Sequence, residues 1–292
     1  MRPRTRRPVA LALLAALALG ACSDDEPAPR DDDVLVLTPE SGDGTGHTHG
    51  PEGEQVSGDG TRFSAAGLSL VDVRLPQRAG VPGDMTFRIV DDRGRPLTQY
   101  IEEQTKLLHL YVVRNDLQDF RHLHPTLDDD GTWRTRVALA GPGSYRVLAE
   151  FTPGTDPDNG HVVLGRNEVV RGAWQAVPPK GGPVADDGIV RVALDDPLEV
   201  GPDGRMHITV DDGSGRPGSL GSYLGSYAHV TGFELRSGAF VHVHPFGEPE
   251  TTEDGTRLTF HTEYEKPGRY RFFVQVRVDG FLHTVPVTGT VR

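Results

Sequence analysis

"HLYVVRNDLQDFRHLHP" (109–125) and "HVTGFELRSGAFVHVHP" (229–245) carry one frame, written twice. Each begins on a histidine in an apolar run. Each then turns through a polar tetrapeptide, "NDLQ" (115–118) or "LRSG" (235–238), and resumes at an aromatic before ending in His-x-His-Pro. Short runs rich in β-branched and aromatic residues on either side of a brief turn read as a β-hairpin. With a four-residue loop, Arg114 faces Asp119 and His109 faces His124. In the second copy Glu234 faces Ala239 and His229 faces His244. Cross-strand partners hold their Cβ atoms about 4.5–5.5 Å apart, and residues two apart on a strand share a face. The three histidines of each copy are therefore expected to converge on one patch of sheet.

The duplication extends beyond the hairpin. "GDMTFRIVDDRGRP" (83–96) matches "GRMHITVDDGSGRP" (204–217), and "GPGSYRVLAEF" (141–151) matches "KPGRYRFFVQV" (266–276). Turn signals every 8–12 residues and no helical periodicity point to an all-β chain. A repeat of this length suits two tandem β-sandwich domains rather than a solenoid. The expected boundaries are domain 1 at 63–177, a linker at 178–187 within "VPPKGGPVADDG", and domain 2 at 188–292.

The amino terminus reads differently. "MRPRTRR" is basic, "PVALALLAALALG" is apolar, and a small-residue exit ends at Cys22, the chain's one cysteine. This is the layout of a signal peptide over 1–21, and Leu-Gly-Ala before Cys22 resembles a bacterial lipobox. The resemblance implies lipidation of Cys22 and a membrane partner reached through that anchor, on the extracytoplasmic face of the cell membrane; two acyl chains anchor stably where one does not. Residues 22–62, acidic and glycine-rich, are expected to be a disordered tether. Loss of 1–21, with four arginines and no acid, would take the net charge from −12 to −16. Such an acidic chain is a poor partner for nucleic acid.

With Cys22 lipidated, no thiol remains for a disulfide, a cysteine nucleophile or a thiolate metal site. Histidine is the remaining metal-ligating chemistry. His109, His122 and His124 in domain 1, and His229, His242 and His244 in domain 2, obey one spacing, His-x12-His-x-His-Pro. All-nitrogen sites suit Zn²⁺ and Cu²⁺, with copper the tighter binder. The expectation is one copper or zinc ion per domain, with His161 and His283 as further ligand candidates. "GHTHG" (46–50) adds His47 and His49 in the tether as weak metal-capturing candidates.

"FVHVHPFGE" (240–248) is similar to the copper-binding strand of copper/zinc superoxide dismutases. That family also requires a bridging histidine, a zinc loop and a disulfide, which this sequence lacks. The segments "LHLYVVRNDLQDFRHLHP", "GTWRTRVALAGPGSYRVLAEFTP" and "YLGSYAHVTGFELRSGAFVHVHP" resemble secreted lipoproteins of high-GC bacteria associated with copper and heavy-metal handling. That resemblance covers most of 85–285. It implies immunoglobulin-like or cupredoxin-like sandwiches, metal-handling envelope proteins as partners, and a role other than catalysis. Three readings follow, in order of preference: a membrane-anchored protein that sequesters or delivers metal, a sandwich module for adhesion or assembly with structural histidines, and a superoxide-dismutase-like metalloenzyme.

Overall fold

The computed structural model describes residues 56–155, 160–195, 197–241 and 243–292. Every regular element among them is a strand. Domain 1 contains β1 (Val56–Ser57), β2 (Ser64–Ala65), β3 (Leu68–Arg74), β4 (Gly83–Asp91), β5 (Tyr100–Ile101), β6 (His109–Arg114), β7 (Phe120–Leu123), β8 (Thr126–Leu127), β9 (Thr132–Val137), β10 (Gly143–Pro153) and β11 (His161–Val170). Domain 2 contains β12 (Val184–Asp186), β13 (Arg191–Leu194), β14 (Gly201–Asp211), β15 (Leu220–Gly221), β16 (Ala228–Glu234), β17 (Phe240–Val241), β18 (Val243–Pro245), β19 (Glu250–Thr252), β20 (Gly255–Tyr264), β21 (Gly268–Val278) and β22 (Phe281–Val291). Among the described residues no helix is long and apolar enough to cross a membrane.

The two domains repeat one topology. Domain 1 pairs β2-β3-β4-β9-β8 in one sheet and β1-β11-β10-β6-β7 in the other. Domain 2 pairs β12-β13-β14-β20-β18 against β22-β21-β16-β17. Strands β3, β4 and β9 occupy the first, second and fifth places of an immunoglobulin sandwich, and β6, β7, β10 and β11 form its opposing sheet. Each domain also has a tyrosine corner at the third residue of the strand that opens after the crossover. Tyr145 Oη lies 2.8 Å from the Gly141 carbonyl, and Tyr270 Oη donates to the Lys266 carbonyl at 2.8 Å. Of the two sandwich types implied by sequence, the immunoglobulin-like one is present.

Burial patterns explain the layering. On β4, Met85, Phe87 and Ile89 point inward while their neighbours reach solvent, the alternation of a half-buried strand. β6 and β16 do not alternate: His109 to Val113 and all seven residues of β16 are buried. Leu110 and Val112 enter the core around Trp133, and Ala228 and Val230 enter that around Phe272. Their opposite faces enter a third cluster of Tyr111, Val113, Phe120, Leu148, Phe233 and Phe273, drawn from both domains. The sheet β11-β10-β6-β7 of domain 1 thus packs face to face on β22-β21-β16-β17 of domain 2. Phe120 and Phe273 stack across this seam with centroids 4.1 Å apart. Burying a phenylalanine side chain contributes about 1.5–3 kcal/mol.

Two boundaries differ from expectation. The disordered tether expected through 62 ends earlier, because Val56–Ser57 pairs in parallel with His161–Val162 and covers the open edge of β11. The linker expected over 178–187 contains β12, which pairs with β13 at the sheet edge of domain 2.

Candidate metal centre at the domain junction

The hairpin register is the one the four-residue loops predict. Arg114 N donates to Asp119 O at 2.8 Å, and Val113 pairs with Phe120 and Tyr111 with His122. Glu234 N donates to Ala239 O at 2.9 Å, and Phe233 pairs with Phe240. Beyond these pairs the chain crosses to the other sheet. β7 ends at Leu123, and His244 lies on β18 opposite His261 of β20.

The register places His109, Tyr111 and His122 on the seam face of domain 1, and His229 on the seam face of domain 2. The sheets meet there, so the imidazoles that converge come from both domains. His109, His122 and His229 each offer a ring nitrogen within 4.8 Å of the others. His229 stacks on His122 at 4.5 Å and on His109 at 5.6 Å between centroids. His124 stands edge-on to His122 at 4.7 Å and to His109 at 5.2 Å. Of the two trios expected, His109, His122 and His124 of domain 1 do come together, with ring centroids 4.7–5.2 Å apart, and His229 of domain 2 joins them across the seam, while the trio expected in domain 2 includes His242, which lies outside the described residues. Considering each domain alone hid this, because the shared apolar face exists only once the sheets have met.

Hydrogen bonding sets the tautomers of two rings. His109 Nε2 is 3.0 Å from the Glu103 carbonyl, which only accepts, so Nε2 carries the proton. His122 Nδ1 is 2.8 Å from Gln275 Oε1, while Gln275 Nε2 donates to Thr284 Oγ1 at 3.5 Å. In that amide orientation His122 Nδ1 is also the protonated nitrogen. The inner nitrogens, His109 Nδ1 and His122 Nε2, face each other at 3.0 Å. Two neutral rings so arranged direct lone pairs at one another and call for a cation between them. A proton is disfavoured there: burial, then the neighbouring His124 and His109, hold His122 well below the usual imidazole range. Burial and His109 bring His124 down to about 2.

A second polar chain adjoins the trio. Tyr111 Oη donates to Glu150 Oε2 at 2.6 Å and lies 3.1 Å from His229 Nε2. Glu150 Oε1 is 3.1 Å from His161 Nε2. Burial and Glu150 push the Tyr111 phenol well above its usual range. His109, Tyr111, Glu150, His161, His229 and His244 border a cavity of about 10 Å³, room for one water-sized occupant.

The sequence candidates divide accordingly. His109, His122 and His229 form the trio, His124 packs on it, and His161 joins through Glu150. His244 borders the cavity from the other sheet. His283 does not take part: its Nδ1 lies 2.7 Å from Asp187 Oδ2 within domain 2. Cys22, His47, His49 and His242 lie outside the described residues. Sequence reading missed Tyr111, Glu150 and Gln275. A carboxylate inside the apolar run "RVLAEF" (146–151) was the available signal, since buried carboxylates need partners.

Comparison with known proteins adds family but not activity. No curated protein matches the chain. Similar solved structures include invasin, a bacterial integrin-binding protein (15% identity, 77% of this chain and 39% of that one, TM-score 0.21). InvD of Yersinia pseudotuberculosis is 12% identical over 76% of this chain and 56% of that one, with TM-score 0.23. A tetra-tandem repeat from the extending region of a large adhesion protein is 10% identical over 77% and 49%, with TM-score 0.25. The chain thus spans between about two fifths and somewhat over half of these structures, and at such scores the likeness assigns it neither partner nor activity. The sequence profile of a domain of unknown function, DUF8832, matches residues 67–163 and 184–292, well over half of the chain and both sandwiches, so the chain belongs to the DUF8832 family.

Proposed function

We propose that the domain junction binds one divalent transition-metal ion, Cu²⁺ or Zn²⁺, through His109 Nδ1, His122 Nε2 and the imidazole of His229. The protein would act as a metal-binding module of the cell envelope rather than as an enzyme. The observation that carries this reading is the pair of inner nitrogens 3.0 Å apart, with both outer nitrogens donating to fixed acceptors. Ligating histidines typically donate their other N–H in this way. At a Zn–N distance of about 2.0–2.1 Å, two tetrahedral ligand nitrogens sit about 3.3 Å apart, so His109 Nδ1 and His122 Nε2 would part by only a few tenths of an ångström to admit an ion, and the His229 nitrogen, within 4.8 Å of them, would close in to complete the set. Glu150 supplies adjacent negative charge. The basic-then-apolar amino terminus and Cys22 support an envelope location through a lipid anchor.

A second reading has its own observation. If the Gln275 amide is turned, its nitrogen donates to His122 Nδ1, and His122 Nε2–H then donates to His109 Nδ1. Every ring nitrogen of that pair is then satisfied without a cation. The histidines would serve only to pin the two domains of an adhesion or assembly module.

Equilibrium dialysis of the full chain against Cu²⁺ or Zn²⁺, with metal analysis, separates the two. The metal reading expects one ion per chain and none for His122→Ala. The pinning reading expects no specific uptake by either protein.

A further inference from the structure

Four residues further along β6 from the histidine end, the seam opens again. A cavity of about 180 Å³ lies between the hairpin loops of the two domains, walled by Val113 and Leu117 from one and Phe233 and Leu235 from the other. Arg146 and Arg236 also border it, and no carboxylate does.

Arg146 is built into this position. Its Nη1 donates to Gly238 O at 2.7 Å and Ser237 O at 3.2 Å across the seam, and its Nε donates to Asn167 Oδ1 at 3.4 Å. Gly238 has φ +70°, and a Cβ there would lie 2.6 Å from Arg146 Nη1. The guanidinium needs a glycine opposite it. All of these acceptors are neutral, and among the described residues neither Arg146 nor Arg236 forms an ion pair. The acids nearby are otherwise engaged. Asp59 Oδ1 accepts from Thr61 N and Oγ1 at 3.0 and 2.5 Å. Glu234 accepts from Arg236 N and from Ser237 N and Oγ within its own loop. Partial burial lowers the affinity of Arg146 for its proton. Asp59 acts on the half-buried Arg146 through its charge but forms no ion pair with it, and an anion in direct contact with good geometry would offset the removal of the guanidinium from water better.

We propose that this cavity is a second binding site, for a small carboxylate carried on an apolar body of about one aromatic ring. With Nε and Nη1 engaged by Asn167, Ser237 and Gly238, Nη2 of Arg146 is the nitrogen that would donate to a carboxylate oxygen in a charge-assisted hydrogen bond, and a cavity of about 150 Å³ holds a benzene ring. Apolar walls at one end and two cations at the other fit a ligand with the same division. Inorganic anions lack the apolar half, and neutral aromatics lack the charge. The site stands apart from the histidine trio, and the proposal does not depend on metal binding there.

Ligand-observed saturation-transfer NMR on the full chain tests it, with phenylacetate as probe and phenylacetamide as its neutral counterpart. The expected result is transfer to phenylacetate and at least about tenfold weaker binding of the amide, the scale of one charged hydrogen bond. Arg146→Gln should abolish the phenylacetate signal. Arg236→Gln, at an exposed position that bears no part of the seam, should weaken it severalfold. Absence of transfer from phenylacetate overturns the proposal, as does equal binding of the amide or unchanged binding in Arg236→Gln.

Discussion

The two halves of the junction are built on one strand order and carry different chemistry. His109 and His229 occupy equivalent places at the start of β6 and β16. Opposite them on β10 and β21 stand Glu150 and Gln275. One residue pair further in, Tyr111 of domain 1 corresponds to Thr231 of domain 2. Duplication thus supplies two sheets that fit face to face, and divergence assigns them complementary tasks. Domain 1 contributes the carboxylate and the phenol. Domain 2 contributes the amide that orients His122 and the third imidazole. The His109, His122 and His229 trio is complete only when both domains are present.

The largest effect expected from breaking this division is on metal uptake. His122→Ala and His229→Ala, one on each side of the seam, should each remove the single ion from the full chain, while His283→Ala should leave it in place. Gln275→Leu removes an orienting acceptor and should weaken affinity by about 10–100-fold. Two ions per chain in dialysis, or loss of only half the metal in His229→Ala, would restore the picture of one site per domain.

Next in size is the apolar part of the seam. Phe120 stacks on Phe273 with 5° between ring planes, and truncating a buried phenylalanine costs about 3–5 kcal/mol. Phe120→Ala should lower the urea midpoint accordingly and separate the unfolding of the two domains into distinguishable steps. A loss under about 1 kcal/mol with a single transition would mean that the seam contributes little.

Much of this is legible in the sequence, and the reason the rest is not is physical. Strand order and hairpin register are local: four residues between Arg114 and Asp119, or between Glu234 and Ala239, leave little choice of pairing. The seam is non-local. Its trace in sequence was the unbroken burial-competent runs "HLYVV" and "HVTGF", which read as strands covered on both faces. That trace says a face is covered without saying by what. Gln275 and Tyr111 gain their roles only from the partner domain, so no spacing within either copy pointed to them. His283 shows the converse, since position late in the domain resembled that of His161 while its side chain turned to Asp187.

Acid should loosen the junction in a graded way. Burial holds His122 and His124 below the usual imidazole range in the folded chain, His124 at about 2. The unfolded chain binds these protons from about pH 6.5 downward, and the folded one does not. Stability is therefore full above that pH and falls as pH drops toward the folded values, by about 1.4 kcal/mol per pH unit for each histidine. Most carboxylates titrate lower, so urea midpoints of metal-free protein at pH 7, 6 and 5 isolate the histidines. A flat response across that range would show that the rings are charged, or solvated, in the folded state.

The smallest expected difference compares the two tyrosine corners. Tyr270 Oη donates to one neutral acceptor, the Lys266 carbonyl. Tyr145 Oη lies 2.8 Å from the Gly141 carbonyl and equally 2.8 Å from Asp119 Oδ2, a buried carboxylate oxygen that also accepts from Ala140 N at 2.7 Å. Burial and then Asp119 push the Tyr145 phenol up to about 12. In domain 2 the position of Asp119 is taken by Ala239, so the hydrogen bond of Tyr270 Oη goes to a neutral carbonyl alone, while burial and then the charges of Glu234 and Glu265 push its phenol up. A neutral hydrogen bond contributes about 0.5–1.5 kcal/mol and one to a charged group about 1.5–3 kcal/mol. Tyr145→Phe should therefore destabilise the chain more than Tyr270→Phe. The paired variant Asp119→Ala, which makes domain 1 resemble domain 2 at this corner, should bring the cost of Tyr145→Phe down to that of Tyr270→Phe. Equal costs for the two phenylalanine variants in the otherwise unaltered chain would show that Asp119 adds nothing to the corner, and that the duplicated frame alone sets its strength.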